Sequence, residues 1–192
     1  PHSTDPPRSR RKRPTPAGSE KLQGMDSDSS STIEVTVEAA DWLSAVTGPE
    51  DLCRRVVSLV VAREAPDLAD RAEVGVVLTD DARVRALNAA YRGKDKPTNV
   101  LSFPGLDPDE PMTDGPVLLG DVVVAFETTT REAVEGGKPL RDHLTHLLVH
   151  GTLHLLGHDH EVEDEAEEME ALEVALLASL GVADPYVAGA ST

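Results

Sequence analysis

Two histidines four residues apart anchor the stretch His150-Gly151-Thr152-Leu153-His154-Leu155-Leu156-Gly157-His158-Asp159-His160. On a helix, residues three and four apart are neighbours on one face, so His150 and His154 can offer two imidazoles to one ion. Gly157 lets the chain leave the helix and turn back, which brings a further histidine to the same ion. His158 and His160 compete for that third place, and His160 is the preferred one. Three neutral imidazoles and a water make an open tetrahedral zinc site, the catalytic kind, whereas a fourth protein ligand makes a closed structural one. Affinity order alone does not select the metal, so iron, nickel or manganese suit the same residues. The zincin pattern requires Glu directly after the first His as general base. Gly151 stands there instead, so a peptidase would lack its proton acceptor. The spacing does not identify a general base: Asp159 is a candidate catalytic group, equally suited to orienting a ligand histidine. His143 and His146, two turns and one turn before His150, read as packed, hydrogen-bonded helix residues. Their functional alternative is lining the cleft or orienting a ligand.

A second constellation runs from Tyr91 to Pro104: Tyr91-Arg92-Gly93-Lys94-Asp95-Lys96-Pro97-Thr98-Asn99-Val100-Leu101-Ser102-Phe103-Pro104. It passes from a helix end through a basic turn into a strand. Arg92 has the planar fork that grips a phosphate in two places, and Lys94 and Lys96 supply point charges. Residues 83–96 hold five basic side chains and one acid. On composition alone that is a solvated basic turn.

The elements that must position these groups follow from periodicity. Ile33–Val37 alternates apolar and polar, as a half-buried strand does. Residues 49–63 place Leu52, Val56, Leu59 and Val60 on one helical face. Val74–Thr79 is a strand, and Thr79 or Asp80 caps a helix running to about Tyr91. Residues 99–103 and 119–126 read as buried strands. Residues 128–135 form a short helix closed by Gly136-Gly137. Residues 140–156 form a long one closed by Gly157. Residues 161–180 form another, with Met169, Leu172, Leu176 and Leu180 as its buried stripe. Residues 105–116, rich in Pro, Asp and Gly, are a loop. The expected fold class is α/β (α+β): a small mixed sheet of about four strands covered by about five helices. The metal site sits at the end of a long central helix.

Composition bounds the rest. The chain has 192 residues and a net charge of -17, which argues for one soluble domain and against a generally basic nucleic-acid-binding surface. Two Phe, two Tyr and one Trp leave an aliphatic core. Cys53 is the only cysteine, which excludes an intrachain disulfide, suits a cytoplasmic location, and reads as a small buried hydrophobe. No apolar run approaches the ~18 residues of a membrane span, and no signal-peptide core follows the basic N-terminal stretch. Residues 1–31 read as a disordered tail, basic at Arg8–Arg13 and holding Met25 as an alternative start. Residues 32–192 read as a single domain.

Together these segments resemble the YbeY family of bacterial endoribonucleases. The family pattern H-G-x-L-H-L-x-G-[YH]-D-H is met from His150 to His160. The likeness includes Arg92–Pro104 and Leu118-Leu119-Gly120-Asp121, and continues through Glu165–Glu170 and Asp184-Pro185-Tyr186. It covers roughly residues 32–187. The resemblance implies a single-strand-specific endoribonuclease with one zinc per chain held by His150, His154 and His160. It implies a functional arginine at Arg92 and a cytoplasmic role in small-subunit (16S) ribosomal RNA 3′-end maturation and ribosome quality control. It implies partners too: a small-subunit ribosomal protein contacted through Asp121, and the Era GTPase. RNA would lie along Arg92, Lys94 and Lys96. His158 stands where many members have Tyr. Two rivals remain open: a zinc hydrolase acting on another substrate, and a non-catalytic assembly factor whose zinc is structural.

Overall fold

The computed structural model describes residues 31–107, 109, 111–112, 114–159 and 163–187. The tail reading of residues 1–30 and the third candidate ligand, His160, lie outside the described residues. Four strands form one sheet: β1 (Thr32–Val37), β2 (Ala72–Thr79), β3 (Val100–Pro104) and β4 (Val117–Ala125). Their order is β1-β2-β4-β3, with the first three parallel and β3 antiparallel on the edge. The expected alternation of β1 is real: Thr32, Glu34 and Thr36 face solvent while Ile33, Val35 and Val37 pack on the core.

Six helices accompany the sheet among the described residues: α1 (Asp41–Ala45), α2 (Pro49–Glu64), α3 (Asp81–Arg92), α4 (Phe126–Glu135), α5 (Leu140–Leu155) and α6 (Glu163–Ser179). Five were expected; the sixth is α1. Five residues are too few to show a helical period, and α1 is held by tertiary contacts rather than propensity. Trp42 is fully buried, donates its indole N–H to the Thr79 carbonyl at 3.0 Å, and meets Phe126 edge-on. Asp80, not Thr79, caps α3 by accepting the Arg83 N–H. β4 ends one residue earlier than expected, and Phe126 opens α4.

Helices α2 and α5 pack together beneath one face of the sheet and α3 lies on the other. The main core is aliphatic, with Val56, Val60, Leu78, Leu119, Val122 and Leu148 fully buried. Leu52 is buried as expected, but Leu59 is only half-buried, and Cys53 and Val57 take the interior places beside it. Burial pushes the Cys53 thiol up to about 12, so it stays an inert hydrophobe.

Gly151 sets how closely α5 can lie on the sheet. A Cβ there would stand 2.7 Å from the Val122 side chain and 3.1 Å from Ser102 Oγ. With no side chain in the way, the Ser102 hydroxyl donates to the Gly151 carbonyl at 3.0 Å. The glycine inside the histidine motif is therefore a packing requirement: it lets the helix carrying His150 and His154 rest directly on β3 and β4.

Candidate functional site

The edge of the sheet and the C-terminal half of α5 enclose a cleft of about 690 Å³. Along β3, Leu101 and Phe103 point into the small core beneath α3. Val100, Ser102 and Pro104 point the other way, into the cleft. His150 and His154 enter from α5, and Gly157, His158 and Asp159 close the end where the helix stops. Arg92 and Lys94 enter from the opposite side, through the turn between α3 and β3. Gly93 makes that turn at φ +66° and ends α3 by donating its N–H to Ala89. The cleft thus brings together two constellations about 60 residues apart in sequence.

His150 Nε2 and His154 Nε2 face each other at 3.1 Å. Two nitrogens on one tetrahedral zinc stand about 3.3 Å apart by simple trigonometry on the usual bond length, so the pair converges as two ligands of one ion must. Among the described residues no three His, Cys, Asp or Glu side chains come together as a metal group. The donor pair suits a zinc ion as far as it goes, and His160 is the remaining ligand of the expected set.

Sequence reasoning missed the residue that orients this pair. Glu173 of α6 is 1% exposed, and its Oε1 lies 2.6 Å from His150 Nδ1. Its other oxygen accepts the Tyr186 hydroxyl and lies 3.4 Å from His146 Nε2. Burial raises the carboxyl, but hydrogen bonds from His146, His150 and Tyr186 outweigh it and hold the group down at about 2. Glu173 is therefore ionised and can only accept, so the proton of His150 sits on Nδ1. That leaves Nε2 as an electron-pair donor aimed at His154. Carboxylate–histidine–metal relays are built this way. The signal was present in the sequence: Glu173 falls four residues after Met169 and three before Leu176, on the buried stripe of α6. A charge in that register is a buried charge needing partners.

The other histidines sort by position. His143 donates its Nε2–H to the Glu132 carboxylate at 2.8 Å, and burial pushes its imidazole down from the usual range. His146 meets Glu173 and Tyr186. Both line a separate apolar depression of about 230 Å³ rather than the cleft. His146 adjoins the site through the shared carboxylate and through an edge-on ring contact with His150 at 6.4 Å. His158 and Asp159 do line the cleft.

The basic stretch divides. Arg85 pairs with Asp95 at 2.8 Å, and Arg83 lies 3.9 Å from Glu38; both are directed away from the cleft. Lys96 is outside it as well, in an adjoining depression. Of the five basic residues in 83–96, Arg92 and Lys94 line the cleft and Lys96 lies beside it. Asp121 lies on the opposite face of the sheet, exposed, over Gly75: an added Cβ there would overlap its carboxylate. It shares a shallow depression with Arg83, Tyr91 and Phe103, away from the histidines.

The family model for Endoribonuclease YbeY matches residues 41–181. Similar proteins include Endoribonuclease YbeY of a Bradyrhizobium species, 52% identical over 81% of this chain and 92% of the relative. That of Paramagnetospirillum magneticum is also 52% identical, over 81% and 96%. That of a Chelativorans species is 49% identical over 86% and 99%. The solution structure of TM1509 from Thermotoga maritima superposes with a TM-score of 0.51 at 22% identity, over 78% of this chain and 92% of that one, and supports the fold.

Proposed function

Because this chain belongs to the YbeY family of endoribonucleases, we propose that it is a zinc-dependent, single-strand-specific endoribonuclease. We infer that it acts in maturation of the 16S ribosomal RNA 3′ end and in ribosome quality control, in the cytoplasm. The observation that carries the reading is the one cleft in which two convergent imidazoles face Arg92 and Lys94. His150, His154 and His160 would hold the zinc, one per chain. A zinc ion so held supplies a Lewis acid and a water whose pKa falls toward neutrality. Glu173 keeps the His150 proton on Nδ1. Arg92 binds the phosphate by its fork and stabilises the charge that builds on it. Lys94 and Lys96 draw the backbone in. Asp159 at the cleft mouth is the candidate for moving a proton or steadying a ligand histidine. No helix among the described residues is long and apolar enough to cross a membrane.

A single strand suits the site on electrostatic grounds. The body is acidic, at -17 overall with basic residues 8–13 in the tail, so most of its surface repels a phosphate backbone. Only a strand that bends into the local basic rim gains contacts there. We propose that residues 32–192 carry the whole activity and that the tail, residues 1–31, adds little. We infer that Asp121, on the far sheet face away from the cleft, contacts the small-subunit ribosomal protein, and Era GTPase is the further proposed partner. In the test, a highly purified sample is given a labelled strand matching the 16S 3′ end, alone or annealed to its complement. The free strand should be cut and the duplex spared. Equal cutting of both would remove the single-strand claim, and no cutting of either would favour the assembly-factor alternative.

Glu173→Gln isolates the carboxylate's role. Gln keeps the volume but loses the charge that holds the Nδ1 proton, and losses of such partners typically weaken metal binding about 10- to 100-fold. Zinc affinity measured by competition with a chelator should fall by that amount while circular dichroism stays native. Unchanged affinity in a folded variant would make Glu173 a packing residue only.

A further inference from the structure

Beside the cleft lies a second depression of about 330 Å³. The two share four wall residues, Arg92, Lys94, Thr98 and Asn99, so a strand held at the first passes directly into the second. Lys96 and Arg131 stand on its far side. Four cations from two elements, the α3–β3 turn and helix α4, therefore surround one hollow in a chain of net charge -17. The carboxylate in its wall, Glu132, is already engaged: Oε2 accepts the Asn99 side-chain N–H at 3.0 Å and meets His143 at 2.8 Å. Through Asn99, Glu132 also fixes the ridge between the two hollows.

Arg131 is exposed and has one long hydrogen bond, from Nη2 to Thr128 Oγ1 at 3.4 Å. Asp81 is engaged at the start of α4, where both its oxygens are taken up. One accepts the Thr128 N–H at 3.0 Å and the other the Thr128 hydroxyl at 2.8 Å. The helix that carries Arg131 is thus anchored while its guanidinium keeps most of its donors for a ligand.

We propose that this second hollow is a subsite for the adjoining nucleotide of the single-stranded RNA, in which Arg131 grips the phosphate next to the one held by Arg92. The inference rests on the RNA reading of the cleft. It makes Arg131 a binding residue on an element that the basic turn does not include.

The test compares Arg131→Gln, Arg131→Lys and Lys94→Gln with the wild type, each as the zinc-loaded full chain, on a labelled single-stranded RNA at several salt concentrations. Gln and Lys are good helix formers, and position 131 is exposed, so folding is not at stake. Each lost phosphate contact on a single strand should flatten the slope of log kcat/KM against log salt by about 0.7. Arg131→Gln should raise KM several-fold, with a much smaller change in kcat, and flatten the slope. Arg131→Lys should restore most of the slope, because the charge is kept. Shortening the RNA from one end, and only that end, should abolish the difference between Arg131→Gln and wild type. If Lys94→Gln flattens the slope and Arg131→Gln does not, the RNA reading stands and the subsite is overturned. If the wild type neither binds nor cuts the strand, the RNA reading falls and takes the subsite with it.

Discussion

Replacing His154 by Ala should leave a folded protein that holds no zinc and does not cut RNA. His154 lines the cleft half-exposed near the C-terminal end of α5, and alanine is the best helix former, so the helix loses no packing it depends on. The helix is seated by Gly151 against Val122 and by Leu148 and Leu153 in the core, not by the imidazole. What would disappear is one of the three proposed ligands, and the open tetrahedral site calls for three protein ligands beside the water. Without the ion the cleft would lose the Lewis acid proposed for the reaction. Metal content, circular dichroism and a cleavage assay on parallel preparations check all three statements. A His154→Ala sample that cuts RNA as fast as wild type would show the activity to be metal-independent or a contaminating ribonuclease.

The second large effect is at Arg92. Arg92→Lys keeps the positive charge and loses the paired donors of the fork. Removing one donor that acts on the transition state typically costs on the order of 10²-fold in rate, and turnover should fall by about that much with zinc retained. Arg92 is the exposed last residue of α3 and is followed by the helix-ending Gly93, so its side chain supports no core. Steady-state rates with zinc content measured on the same sample decide the point. A variant that also loses its zinc would make Arg92 structural.

Much of this architecture was legible in the sequence because its signals are local. Strand alternation in β1, a cap at Thr79 or Asp80 and the glycines closing α4 and α5 all act within a few residues. The histidine pair was legible for the same reason, since i and i+4 on a helix settle who is neighbour to whom. The YbeY resemblance supplied the long-range part, naming Arg92 and the histidines as parts of one function, and in the structure Arg92, His150 and His154 line one cleft. The parts that were not legible depend on tertiary contacts. Helix α1 exists because Trp42 reaches Thr79 and Phe126, and no five-residue period announces that. Arg83 and Arg85 look like part of one basic run, yet side-chain direction turns them to Glu38 and Asp95. Glu173 was submerged in an acidic helix whose charges otherwise face water, and only its register against Met169 and Leu176 marks it as buried.

The central claim is that one zinc ion in the histidine cleft makes this chain a ribonuclease. It is tested most directly by stripping the metal with a chelator, then titrating zinc back while following cleavage of a single-stranded 16S 3′-end RNA. Activity should be absent without metal and rise linearly to a plateau at about one zinc per chain, as a single three-histidine site requires, with no recovery in His154→Ala. Full activity in the stripped protein, or recovery by His154→Ala to the wild-type level, would contradict the account.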